Sequence, residues 1–204
     1  LLIYFPLLTY LQYILHLHFA EIILSTREKH RLPGYAEKYI GQNGRTIAFI
    51  TEALGGYGSI IAYIIVGGIF LYQLLNPIFG GNLLFYTTIL FAAEAGVVWF
   101  GLKLIANLEF ILTLFLVTVT GLIILKGYNF INLDNYQLLN IKQIFLPYGP
   151  VFFAVGGGAA IPEICRLLNN EKRKIKSAIA WGTFIPAIIM MIFTITIIGV
   201  TGLN

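Results

Sequence analysis

Apolar residues in this chain fall in long blocks separated by short polar joints, rather than alternating with polar positions or keeping to one face of a helix. Six blocks stand out, at about 3–25, 46–75, 83–100, 104–125, 144–168 and 177–200. A helix rises about 1.5 Å per residue and the hydrocarbon core of a bilayer is about 30 Å thick, so roughly 20 mostly apolar residues cross it. The pattern predicts an all-α integral membrane protein with about six transmembrane helices, forming a single transmembrane domain over 1–204. The second block is long enough to span with tilt or to project beyond the bilayer. Turn chemistry places joints at Leu32-Pro33-Gly34, Asn76-Pro77, Gly80-Gly81-Asn82 and Lys126-Gly127-Tyr128-Asn129.

Composition sharpens this picture. Of 204 residues, 58% are hydrophobic and 11% charged, too few charges to cover a soluble surface. The net charge of +4 does not point to nucleic acid, because the basic residues sit in short loops between apolar blocks. The first loop holds Arg27, Lys29, Arg31, Lys38 and Arg45, and the fifth holds Arg166, Lys172, Arg173, Lys174 and Lys176. The second has none, the third turn holds Lys103, and the fourth has Lys126 and Lys142 at its edges. By the positive-inside bias, the basic loops 26–45 and 166–176 face the cytoplasm, as a multi-pass protein of the cell membrane requires. Within the first loop, a turn followed by a short amphipathic helix from about Tyr35 is expected to rest Tyr35, Tyr39 and Ile40 in the interface. A lone cysteine, Cys165, forms no internal disulfide and reads as a small buried side chain near a helix end. The chain starts at a leucine with no basic stretch before it, so there is no signal peptide to discount, and it is read as a fragment.

The segment richest in chemistry is Pro147 to Glu163. Gly156, Gly157 and Gly158 are weak helix formers in mid-span, and Pro162 cannot donate to the Gly158 carbonyl. The helix is expected to break there. Lipid cannot satisfy the freed backbone groups, so a break belongs inside protein or beside a cavity. Loose amides suit a carboxylate, and loose carbonyls suit an ammonium or a metal cation. The competing reading is a close helix–helix contact through small residues. A second polar stripe, Glu52, Gly56, Ser59, Tyr63 and Gly67, lies at offsets 0, 4, 7, 11 and 15 on one helix face and reads as a packing seam or a cavity wall. Tyr63 is its member best able to hydrogen-bond a ligand.

Acidic residues inside apolar blocks are costly and often mark ion or proton paths, which makes Glu94, Glu21 and Glu52 the candidate ion-coupling residues. Against that, Glu21 and Glu52 have Arg27 and Arg45 nearby for interfacial pairing, and Glu163 has Arg166 three residues on. Glu94 has no local cation. On the first span His18 sits three residues before Glu21, which predicts a His–Glu hydrogen bond with His16 beside it. No His-x₃-His pair or second cysteine completes a metal site. Protease, phosphate-loop and dinucleotide signatures are missing or incomplete, so neither an enzyme nor an organic cofactor is expected.

Two stretches resemble the amino-acid permeases of the amino acid–polyamine–organocation superfamily, nearest the aromatic amino-acid permeases and the amino acid/auxin permeases. One is His18-Phe19-Ala20-Glu21-Ile22-Ile23-Leu24-Ser25-Thr26-Arg27, leading to Leu32-Pro33-Gly34-Tyr35-Ala36-Glu37-Lys38-Tyr39. The other is Phe153 to Glu163. The resemblance implies two inverted five-helix repeats with substrate held at broken helices, of which this chain covers helices two to seven with the break at 153–162. It further implies that Phe153, Gly156, Gly157, Gly158, Ala159 and Ala160 face the substrate, with Tyr63 a candidate wall residue. The function expected is secondary active transport of amino acids, as small-molecule substrates, by alternating access coupled to H⁺ or Na⁺. The alternative is a non-transporting membrane scaffold or partner subunit.

Overall fold

The computed structural model describes residues 3–100, 102–136 and 145–202, with the side chains of 102–107 left aside. Lys142, the predicted start of the fifth span at 144 and the side chain of Lys103 lie outside what is described. The described residues are helical, and five segments are long and apolar enough to cross a membrane: Tyr4–Ser25, Gln42–Phe79, Leu108–Phe130, Tyr148–Leu167 and Lys172–Thr201. The sixth predicted span is the helix Leu83–Trp99, whose 17 residues fall at the short end of spanning length.

Residues 32–117 form one compact unit. It begins with α2 (Leu32–Ile40), packed on the long α3 (Gln42–Phe79) and joined to it by an ion pair of Arg45 with Glu37 at 3.1 Å. Helix α2 starts at Leu32, not near Tyr35. Proline is tolerated in the first turn, where its missing N–H is no loss, so Leu32-Pro33-Gly34 is helical rather than a turn. Tyr35 is buried, while Tyr39 and Ile40 are exposed, so the expectation that all three rest in the interface fails for Tyr35.

Asn76-Pro77 does not end α3 either. Pro77 lies within it, close enough to the terminus that only the last turns feel its missing donor. The helix stops at Gly80 and Gly81, whose φ of +66° and +108° are readily open only to glycine. There Asn82 caps α4 (Leu83–Trp99), its Oδ1 accepting from the Phe85 amide at 2.9 Å, and the Tyr86 hydroxyl donates back to the Gly80 carbonyl at 2.6 Å. Together they set the hairpin in which α3 and α4 pack. Contact is close at Gly68, where a side chain would collide with Thr87, its Cβ falling 2.9 Å from the Thr87 Cα. The rest of this unit shows apolar side chains outward, as a lipid-facing surface does.

The second unit joins residues 1–31 to 118–204. It contains α1 (Tyr4–Ser25), the later part of α5 (Leu102–Gly127), two short 3₁₀ turns at Tyr128–Phe130 and Leu133–Asn135, and three further helices. These are α6 (Tyr148–Ala154), α7 (Ile161–Leu167) and α8 (Lys172–Thr201). Helix α1 packs against α6, α7 and α8. Its buried face shares a core of Phe5, Leu8, Val151, Val155 and Ala187, and Tyr13 meets Phe184 with ring centroids 5.2 Å apart.

The loop after α5 is stitched to the end of α8. The Asn132 amide and the Asn135 side chain both donate to the Gly199 carbonyl, at 2.9 and 2.8 Å, and the Tyr136 hydroxyl donates to the Ile195 carbonyl at 2.9 Å. Asn169 and Asn170, with φ of 49° and 60°, turn the chain from α7 into α8. Asparagine tolerates that left-handed region better than other side chains do. Lys172, Arg173, Lys174 and Lys176 then crowd the first turns of α8, the end where the helix dipole disfavours cations. Their placement therefore follows membrane orientation rather than helix stability. Pro186 lies inside α8 and leaves the Gly182 carbonyl without its usual donor.

The α3–α4 contact is testable. Gly68→Val should lower the stability of the purified protein by about 1–3 kcal/mol, the range for overpacking a close contact. Thermal unfolding followed by tryptophan fluorescence would show it, and an unchanged midpoint would refute the close approach.

Candidate functional site

The fifth span is broken. Helix α6 ends at Ala154, Val155 and Gly157 leave helical angles (Gly157 φ −146°, ψ 14°), and Gly158–Ala160 makes one 3₁₀ turn before α7 begins at Ile161. The expectation of a break is met, but the part assigned to Pro162 is not. It sits in the first turn of α7, a position where proline starts a helix without losing a bond. The interruption belongs to the glycines alone.

Breaking the span frees backbone groups. The Val155 amide returns to the Val151 carbonyl, Gly156 to Phe153 and Ala160 to Gly157. The amides of Gly158 and Ala159 have no acceptor among the described residues, and the carbonyls of Val155 and Gly156 take no hydrogen bond from one. Beside Gly156, Gly158 and Ala159 lies an open hollow of about 360 Å³ lined by Gln12, Phe152, Phe153, Gly156, Gly157, Gly158 and Ala159. That volume is within the roughly 300–1,000 Å³ of small-ligand pockets. Among the described residues, no charged side chain lines it. Donors, acceptors and aromatic surface therefore meet in one uncharged space. A second hollow, about 310 Å³ between the ends of α5 and α8, is almost wholly apolar and brings no such groups together.

The remaining amide at the break is caught by α1. Gly157 N–H donates to His16 Nε2 at 3.3 Å, and His16 Nδ1 lies 3.2 Å from Thr183 Oγ1 on α8. Because Nε2 accepts, the ring proton sits on Nδ1 and is given to Thr183. One imidazole thus ties three elements together. His16 belongs to a buried polar stripe on α1 with Thr9 and Gln12, at offsets 0, 3 and 7, exposed by only 5%, 3% and 8%. The Thr9 hydroxyl has no partner among the described residues.

Of the residues singled out from sequence, Phe153, Gly156, Gly157, Gly158 and Ala159 come together at the hollow, and Ala160 closes the adjoining 3₁₀ turn. Glu21 lies on α1 outside it, its side chain exposed and its Oε2 3.5 Å from His18 Nδ1. The expected His18–Glu21 hydrogen bond is not made: the two side chains are exposed and meet only as this 3.5 Å contact. Tyr63, Glu52 and Glu94 belong to the unit of residues 32–117, where Tyr63 is 61% exposed on α3. The expected pairings of Arg27 with Glu21 and of Arg45 with Glu52 are not made. Arg45 reaches Glu37 instead, because α2 folds back beside the start of α3, and Glu21 takes His18 one turn away. Glu163 pairs with Arg166 at 2.7 Å as expected. Sequence reasoning passed over Gln12 and Thr183 and did not give His16 its place. The signal available was the spacing of Thr9, Gln12 and His16, three polar side chains on one face of an apolar span.

Five helices long and apolar enough to cross a membrane, with the shorter Leu83–Trp99 beside them and a hollow at the broken span, define a multi-pass membrane protein. Its sequence agrees: the model of the tryptophan/tyrosine permease family matches residues 1–204, and the chain belongs to that family. It is a protein of the plasma membrane. A curated relative, the tyrosine-specific transport system 1 of Haemophilus influenzae, is 25% identical over 189 residues, covering 91% of this chain and 46% of the relative. The chain therefore spans about half the length of that protein. No solved structure matches it.

Removing the imidazole should loosen the break. A neutral hydrogen bond is worth about 1 kcal/mol, or roughly fivefold in an opening equilibrium. His16→Ala should therefore speed hydrogen exchange of the segment 155–160 about fivefold, read by mass spectrometry. Unchanged exchange would mean that the Gly157–His16 bond holds nothing.

Proposed function

We propose that this chain forms the part of an aromatic amino-acid carrier that holds the substrate from one side, and that the whole protein moves tyrosine or tryptophan by secondary active transport. The carrying observation is the hollow at residues 156–159, where unpaired amides and carbonyls stand beside Phe152 and Phe153. A zwitterion needs donors for its carboxylate and acceptors for its ammonium, and an aromatic side chain needs an apolar face. The family and the tyrosine-specific relative support the same ligand class. In this reading the chain is one membrane domain within two inverted five-helix repeats, with the loops 26–45 and 166–176 in the cytoplasm. Alternating access is driven by H⁺ or Na⁺, and Glu94, Glu21 and Glu52 are the acidic residues to examine for coupling.

Gly158 gives a sharp test, because a Cβ there meets no atom within 4 Å. Gly158→Leu should fill the hollow without disturbing its walls. In proteoliposomes, the wild-type full-length protein should accumulate labelled tyrosine or tryptophan, and the variant should fold, insert and lose at least 90% of uptake (roughly tenfold, about 1.4 kcal/mol). Wild-type vesicles that take up neither amino acid under a proton or sodium gradient would sink the carrier reading. A variant that loses assembly with a partner while the wild type never transports would favour the scaffold.

A further inference from the structure

Gln12 has a feature that no other polar side chain at the break shares. It is more than nine-tenths buried, yet its carboxamide has no hydrogen-bond partner among the described residues. It is not counted with Thr9 among the sealed, unsatisfied groups, so its polar end keeps access to the hollow that it lines. A buried amide left without a partner costs on the order of 1–3 kcal/mol, which a protein sustains where the partner arrives from elsewhere.

We infer that Gln12 binds the ligand, its side-chain oxygen accepting a hydrogen bond from the ligand's ammonium group. The inference rests on the carrier reading above and adds a residue and a role to it. Position decides which end of the ligand it meets. Gln12 approaches the break at Gly156, its amide nitrogen Nε2 3.9 Å from where a Gly156 Cβ would stand. The Gly156 carbonyl takes no hydrogen bond among the described residues, and the unpaired amides follow at Gly158 and Ala159. A half-turn of the carboxamide about its last bond exchanges Nε2 for Oε1 and adds an acceptor near Gly156, whose own carbonyl is unpaired among the described residues. Being uncharged, Gln12 leaves the hollow neutral, so the site suits the zwitterion rather than a free amine or a free acid.

The test compares ligands on the full-length protein in nanodiscs. Tyrosine, phenylalanine and 3-(4-hydroxyphenyl)propionate, which is tyrosine without its amine, are bound to wild type, Gln12→Leu and Gln12→Glu. Leucine has a similar size and no acceptor. It should weaken tyrosine and phenylalanine alike, by about ten- to hundredfold for a hydrogen bond to a charged group. It should leave the des-amino acid unchanged. Glutamate keeps the acceptor and should keep the preference for tyrosine over the des-amino acid. If the leucine variant does not fold, Gln12→Ala is read in the same way.

Equal weakening of all three ligands would make Gln12 a packing residue and overturn the inference. So would unchanged tyrosine affinity, or a loss for tyrosine that phenylalanine does not share, which would place Gln12 on the phenol. A wild type that binds none of these amino acids would remove the carrier reading itself, and this inference with it.

Discussion

Hydrocarbon offers no partner to a peptide N–H or C=O, so a chain can leave the helix inside a membrane only where protein or enclosed solvent takes over those groups. Everything distinctive here follows from how residues 155–160 meet that condition. One amide, Gly157, is given a side-chain acceptor from a neighbouring helix, His16. The amides of Gly158 and Ala159 and the carbonyl of Gly156 are left to a hollow. The first kind of group fixes the break in place. The second makes it useful.

The fixing depends on the polar stripe of α1. His16 can accept from Gly157 only while its other nitrogen holds the ring proton, and Thr183 provides somewhere for that proton to point. The imidazole is thus oriented from both sides, by α8 and by the break. Nearer the start of α1 the packing is apolar: Phe5 and Leu8 from α1, Val151 and Val155 from the broken span, Ala187 from α8. The polar contacts and the apolar core involve the same helices, so the break sits in a rigid frame rather than in a loose loop.

Much of this was legible in the residues. Long apolar blocks gave the spans nearly to the residue at Tyr4–Ser25 and Leu83–Trp99, since length and hydropathy alone determine them. Three adjacent glycines gave the break for a similarly local reason. What could not be read locally came out wrong. Pro162 looked like the breaker, yet a proline's effect depends on whether it falls inside a helix or in its first turn, and that is set by where the glycines end the preceding one. The partner of Arg45 was misplaced because α2 returns alongside α3, a tertiary fact no spacing rule contains. Gln12 and Thr183 went unremarked because no neighbour in sequence tells what either side chain faces. Their meaning lies in what they face, more than 140 residues away along the chain in the case of Gln12 and Gly156.

Pro186 carries a consequence for motion. Its ring withholds a donor from Gly182, and Thr183, the residue between that carbonyl and the proline that grips His16, lies at the same level of α8. A helix bends most cheaply where a rung of its ladder is missing. If α8 flexes during a working cycle it will do so here, and the imidazole's hold on the broken span will swing with it. A mechanical joint in one helix and the chemical anchor of another thus share a single turn of α8.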